Sequence, residues 1–336
     1  MSNESTNCTT ESNTSEQRPT ERHVVVGAGA TGTATACVLA SRGARVTLVS
    51  RSGSGPVDPR IELLAADASD VDRLVEISTG ATALYNCANP PYHQWDEAWP
   101  PLAASLLETA ERTGAVLVTL SNLYGYEVDG PMRPEQPLNP PSKKGAVRAA
   151  MWHDALRAHT EGRAKVVEVR ASDFIGPGLG DNGHMGDRLL SRIVAGKSVQ
   201  VFGAADVPHS WTAINDVART LVAVASEPTT WGRAWHVPSV APKTQAEMVH
   251  ALCETAGVAT VKVGVLPTAL LKVLGLFVPA IREMGEMRYQ FVEPFVIDAS
   301  ETTAVLGLEA TPLSETLAAM IAHARGDEVR PLVAVS

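Results

Sequence analysis

At 336 residues, 45% hydrophobic and 19% charged, the chain has the composition of an ordinary globular protein that can bury a proper core, as one large α/β unit with an appended lobe or as two domains. Its formal net charge of −9 argues against wholesale binding to nucleic acid or to an anionic membrane surface. The four cysteines, Cys8, Cys37, Cys87 and Cys253, form no C-x-x-C pair and keep no ligand-like spacing to histidine, so no disulfide or zinc framework is expected and the thiols read as those of a reduced, cytoplasmic protein.

Residues 1–21 are rich in Ser, Thr, Asn and Glu and lack an apolar run, which predicts a disordered tail rather than a signal peptide. His23–Val26 is a short β-branched strand, followed by the glycine turn Gly27-Ala28-Gly29-Ala30-Thr31-Gly32 and a small-residue helix to Ser41, with Gly43 placed to end it. Further strands are expected over 45–50, 61–66, 83–88, 115–121 and 166–170. Helices are expected from the capping sequence Ser69-Asp70-Val71-Asp72 to Ile77, over 97–113 and over 145–161. Apolar strands separated by helical crossovers make an α/β, doubly wound parallel sheet of the Rossmann type, covered on both faces.

Beyond Arg170 the rhythm changes. Gly and Pro cluster over Ile175–Gly180, and Thr244-Gln245-Ala246-Glu247 is a capping box that opens a helix to about Ala256. The apolar stretch 265–281 is interrupted by Pro267, Lys272 and Pro279, and reads as a core or lobe helix rather than a membrane span. The expected layout is a tail over 1–21, a dinucleotide-binding domain over 22–175 with return segments around 210–237, and a smaller substrate lobe over 176–330.

Glycines at 27, 29 and 32 follow a strand and open a helix, the context in which such a turn binds phosphate. Without a Cβ the backbone approaches the pyrophosphate, and the helix start offers unpaired N–H groups and a positive dipole end. A tight turn that uses glycine for sterics alone is the plainer alternative. The second strand ends Ser50-Arg51, with no acidic residue before Asp58. An acid there would bind the ribose 2′-hydroxyl of NAD, whereas an arginine accommodates the 2′-phosphate of NADP, so NADP is favoured over NAD unless Arg51 is a solvated loop cation.

With these residues in hand, the chain resembles the extended short-chain dehydrogenase/reductases, the NAD(P)-dependent epimerase/dehydratase group. The likeness rests on Gly29-Ala30-Thr31-Gly32, on Asp67 after the third strand, on Ala88, on Ser121-Asn122-Leu123-Tyr124-Gly125, on Arg170 with Gly176-Pro177, and on Trp211–Ala218. It implies that Asp67 contacts adenine, that Ala88 lies beside the cofactor, that a small molecule is the substrate and that the protein forms a homodimer. Two positions depart from the family pattern. Thr35 stands where the third glycine of G-x-x-G-x-x-G belongs, and no Tyr-x-x-x-Lys pair is present. Counting back from Arg170, the family spacing lands on Lys144 and Arg148, one helical turn apart on one face.

Arg148 keeps the charge that would hold the ribose, and Lys144 or Tyr124, with Ser121 orienting the substrate oxygen, stands as the proton donor. The expected activity is therefore NAD(P)-dependent hydride transfer at a carbonyl, hydroxyl or sugar-like carbon. The rival is a redox sensor or regulatory protein that binds NADP without turnover. His153 and His159, six apart, do not share a helix face as metal ligands would, and no metal site is expected. Pro90–Trp95, with Trp99, is placed to wall a substrate pocket or to cover the core. Asp181, His184 and His209 fall in regions that the family uses for substrate contact, and Met284, Met287, Tyr289 and Phe291 read as a packed helix face or a dimer surface.

Overall fold

The computed structural model describes residues 20–180, 183–267, 269 and 285–327. The expected tail and most of the apolar stretch after Val265 lie outside these residues, as do Asp181 and Met284. Six parallel strands come from the first half of the chain: β1 (Arg22–Val26), β2 (Arg45–Ser50), β3 (Ile61–Ala65), β4 (Ala83–Asn86), β5 (Val116–Ser121) and β6 (Val166–Arg170). Three short strands, β7 (Asp173–Ile175), β8 (Val199–Val201) and β9 (Trp211–Ala213), precede β10 (Ala234–His236). The main sheet runs β10-β6-β5-β4-β1-β2-β3, every pair parallel. The seventh strand, β10, is the one that the sequence pattern did not announce.

Both faces of this sheet are apolar because successive side chains point to opposite sides. Val25, Tyr85 and Val118 join one core with α1 (Ala30–Ser41) and α6 (Ile214–Ser226). Val24, Val26, Leu84 and Leu117 join the other, under α2 (Val71–Ser78), α3 (Trp95–Thr113) and α4 (Lys143–Thr160). The last two helices begin two residues earlier than expected, α3 after a turn of 3-10 helix over Tyr92–Gln94. Gly43, with φ of 88°, follows α1 as the left-handed residue that only glycine adopts cheaply.

A third core holds the C-terminal lobe. It packs Leu189 and Leu190 of α5 (Asp187–Val194) against Met248 and Leu252 of α7 (Gln245–Ala256) and Leu317 and Met320 of α8 (Leu313–Arg325). Helix α7 opens with the capping box foreseen, Thr244 accepting from the Glu247 amide and Glu247 from that of Thr244. Asp216, in the first turn of α6, accepts from the Thr311 amide at 2.7 Å and from its hydroxyl at 2.6 Å. That aspartate belongs to the 211–218 segment that carried the resemblance, and here it fastens lobe to sheet.

A buried polar chain ties the end of the sheet to the lobe. Arg170 Nε donates to Glu168 at 2.6 Å and Nη1 to the Tyr126 hydroxyl, which meets His236 Nε2 at 3.0 Å, while His236 Nδ1 donates to the Asp298 carbonyl at 3.0 Å. Burial, together with the neighbouring Arg170, pulls His236 down to about 3. The unfolded chain therefore binds a proton near pH 6.5 that the folded chain refuses until about pH 3, and stability is lost as pH falls through that window. At pH 5 the loss relative to pH 7 is roughly 2 kcal/mol from this group alone. Urea unfolding at the two pH values should show it, and His236→Gln should flatten the difference; an unchanged difference would contradict the assignment.

Candidate active site

In an open parallel sheet the ligand crevice lies beyond the carboxyl ends of the strands, where the strand order reverses. Here that point is between β1 and β4, and one cleft of about 1330 Å³ opens there. Its lining collects Thr31 at the start of α1, Arg51 after β2, Ala88 after β4, Ser121 at the end of β5, Tyr124 in the following loop and Arg148 from α4. The far wall is made by the lobe, through Asp173, His184, Phe202 and Phe291.

The glycine turn divides its labour. Gly27 (φ of 104°) follows β1 so closely that a Cβ would stand 2.6 Å from the Cys87 carbonyl, and a Cβ on Gly32 would stand 1.8 Å from the Gly27 carbonyl. Both glycines are required by the turn itself. Gly29 is different: its φ of −73° suits any residue and nothing lies within 4 Å of the Cβ it lacks. It caps α1 without a side-chain hydrogen bond, and no acidic residue occupies the first turn, so the positive helix end beside Ala30 and Thr31 faces the space above Gly29. Thr35, in place of a third glycine, is fully buried, its hydroxyl donating to the Thr31 carbonyl at 2.8 Å with Cys87 Sγ beside it at 3.9 Å. The helix thus absorbs the larger residue internally.

Arg51 is exposed at the cleft and Asp67 is exposed after β3, its carboxylate accepting from the Ser69 amide at 2.9 Å. Ala88 is half-buried, its amide donating to the Asn86 side chain at 3.3 Å. Ser121 is buried at the end of β5.

Lys144 and Arg148 lie one turn apart in α4, as the spacing foresaw, but their partners differ. The Lys144 side chain is 3% exposed and its Nζ lies 2.9 Å from Glu286, whose other carboxylate oxygen accepts from the Lys143 and Lys144 amides. Glu286 thereby caps the positive end of α4 with a residue from the far end of the chain. Arg148 is buried, donates through Nη2 to the Leu120 carbonyl and packs its guanidinium 4.6 Å from the Trp99 ring. Its Nε and Nη1 have no hydrogen-bond partner among the described residues, and burial holds the group below the usual arginine range.

Tyr124 is held in the cleft by aromatic packing, with Trp95 stacked at 6.1 Å and Tyr92 edge-on at 6.5 Å. The phenol hydroxyls of Tyr92 and Tyr124 are hydrogen-bonded to each other. Burial pushes both phenols well above the ordinary tyrosine range, and the neighbouring Asp173 adds to the shift. Helix α4 reaches this loop because residue 145 is glycine: a Cβ there would meet the Tyr124 carbonyl at 2.1 Å.

Across the cleft the lobe contributes residues that sequence reasoning left without a role or did not name. Asp173 accepts from His209 Nε2 at 2.7 Å and stands 3.6 Å from His184 Nε2. Phe291 lies over both imidazoles, 4.2 Å from His184 and 4.8 Å from His209. Met287 and Phe291, read from sequence as a helix face or dimer surface, instead flank and end a 3-10 turn (Arg288–Phe291) and line the cleft. Asp173 itself carried a signal: it stands three residues beyond a strand's carboxyl end, where ligand-contacting residues gather.

Residues 23–237 match the model of the NAD dependent epimerase/dehydratase family. Among solved structures the chain is similar to UDP-glucose 4-epimerase of Thermotoga maritima with UDP-glucose (18% identity, TM-score 0.75, covering 91% of this chain and 99% of that one). It is also similar to UDP-glucose 4-epimerase of Thermus thermophilus in complex with NAD (20%, TM-score 0.73, 91% and 99%). A third is a dTDP-glucose 4,6-dehydratase double mutant of Streptomyces venezuelae with NAD bound (18%, TM-score 0.73, 90% and 97%). No curated protein matches the sequence.

Proposed function

The chain belongs to the NAD dependent epimerase/dehydratase family, and from that premise we propose that it is an NAD(P)-dependent enzyme that transfers hydride at a carbonyl or hydroxyl carbon held between sheet and lobe. The observation that carries this reading is one cleft lined together by Thr31 of the glycine turn, the buried guanidinium of Arg148 and the hydrogen-bonded phenols of Tyr92 and Tyr124. The residues present fit a nicotinamide dinucleotide. Gly27, Gly29, Ala30, Thr31 and Gly32 would hold its pyrophosphate, Asp67 and Ala88 would flank its adenine and nicotinamide halves, and Arg148 would hold its ribose. When bound, the cofactor supplies the hydride donor and acceptor.

The chain's own part is positioning and proton transfer. Ser121 orients the substrate oxygen from the end of β5. Tyr124 donates the proton that a carbonyl oxygen takes up on reduction, and Tyr92 accepts a hydrogen bond from it or gives one in return. Lys144, committed to Glu286, serves to fix the start of α4 rather than to move the proton. Fluorescence titration with NADH and NADPH, followed by single-turnover mixing with aldehydes, ketones and sugar nucleotides, tests the reading. Cofactor binding with no absorbance loss across that panel would instead favour a sensor.

The cofactor preference has its own test. Arg51 lines the cleft just after β2, from where its guanidinium would reach a 2′-phosphate. Arg51→Ala should weaken NADPH binding about tenfold or more, through loss of a charge-assisted hydrogen bond, and leave NADH unchanged. Equal loss for both cofactors would remove Arg51 from the 2′-phosphate.

A further inference from the structure

Resting on the reading above, we infer that the lobe side of the cleft is a subsite for an uncharged, ring-bearing hydroxy or keto substrate, and that Asp173 makes it reject the phosphates of a sugar nucleotide. The Asp173 side chain is 18% exposed and one oxygen is committed to His209, whose other ring nitrogen faces the Gln290 carbonyl at 3.2 Å. The second oxygen has no hydrogen-bond donor among the described residues and lies 3.6 Å from His184 Nε2. His184 in turn makes no hydrogen bond among them, and its side chain is 27% exposed to the cleft.

A carboxylate oxygen and an imidazole side by side, both open to one cavity, match a hydroxyl that donates to Asp173 and a neighbouring oxygen that accepts from His184. The walls around them are the rings of Phe202, Phe291 and Phe295, which suit the apolar faces of a ring.

The same floor is hostile to an anion. Burial pushes the Asp173 carboxyl up, but His184 and His209 more than offset this and hold it below the usual carboxylate range, while burial keeps His184 below the usual histidine range. The inner subsite therefore offers an ionised carboxylate beside a ring that burial disfavours charging. Arg188 and Arg192 reach the cleft from α5, but both are exposed and water-screened, and Arg192 Nε is already donated to the Ser198 carbonyl at 2.8 Å.

Asp173→Asn separates the alternatives, because an amide oxygen still accepts from His209 while the charge is gone. Calorimetry on the full chain loaded with NADH or NADPH uses UDP-glucose as the anionic probe and cyclohexanol, cyclohexanone, benzyl alcohol and 4-hydroxyacetophenone as neutral ones. The expected result is about a tenfold loss for the neutral hydroxyl probes and a gain of at least tenfold for UDP-glucose in the variant. UDP-glucose binding to the parent protein as tightly as to the variant overturns the inference, and so does a neutral panel that fails to distinguish the two. Should the variant not fold, His184→Gln leaves the Asp173–His209 pair intact; it should weaken the neutral probes about tenfold and leave UDP-glucose unchanged, and any other pattern counts against the subsite. Loss of cofactor binding in the parent protein would defeat the hydride-transfer reading itself, which the titration registers before any probe is added.

Discussion

Tyr124→Phe should lower turnover by about two to four orders of magnitude while leaving NADH and NADPH affinity within a factor of two. The separation follows from where the hydroxyl points. It meets the Tyr92 hydroxyl in the cleft and makes no hydrogen bond to the glycine turn among the described residues. Removing it takes away a proton donor and leaves the aromatic stack with Trp95 in place. The pH profile carries the sharper signature. Because burial raises the Tyr124 phenol well above its ordinary range, the protonated form persists through neutral and mildly alkaline pH. Reduction of a carbonyl, which needs that form, should stay level beyond pH 9. Alcohol oxidation, which needs the phenolate, should climb with pH over the same range, and the climb should vanish in the phenylalanine variant. If Lys144→Ala rather than Tyr124→Phe removed the climb, the proton would pass through the lysine despite its pairing with Glu286.

The first half of the chain was legible because its signals are local. Strand β1, the turn and α1 are adjacent in sequence, and alternation of Val24, Val25 and Val26 between the two cores is a property of a single strand. The same locality exposed Lys144 and Arg148, since one turn of helix fixes their relation whatever surrounds them. What escaped was set by tertiary contact. No pattern around Lys144 announces that Glu286, 142 residues later, takes its charge. Asp173, His184 and His209 come from three separate segments, and Phe291 completes the group from a fourth. Strand β10 is only three residues long and gains its identity by pairing with β6. Length that short leaves periodicity with nothing to count.

The three glycines of the turn should respond to alanine in two opposite ways, and the contrast is the most direct check on the cofactor site. Gly32→Ala places a methyl 1.8 Å from the Gly27 carbonyl oxygen, a backbone atom that cannot step aside without moving β1 or α1. Gly27→Ala meets the Cys87 carbonyl at 2.6 Å and adds the strain of a φ of 104°. Both variants should lose about 3 kcal/mol or more in urea unfolding, with cofactor binding lost alongside stability. Gly29→Ala should unfold like the parent protein, to within about 0.5 kcal/mol, because its φ of −73° is ordinary and no protein atom lies within 4 Å of the new methyl. Its cofactor affinity should nevertheless fall about a hundredfold, since that methyl occupies the space that a pyrophosphate would fill against the start of α1. Stability reports what the protein needs from a glycine, and affinity reports what the ligand needs. Normal binding by Gly29→Ala would mean that the phosphates lie elsewhere and that the turn is glycine-rich for its own geometry alone.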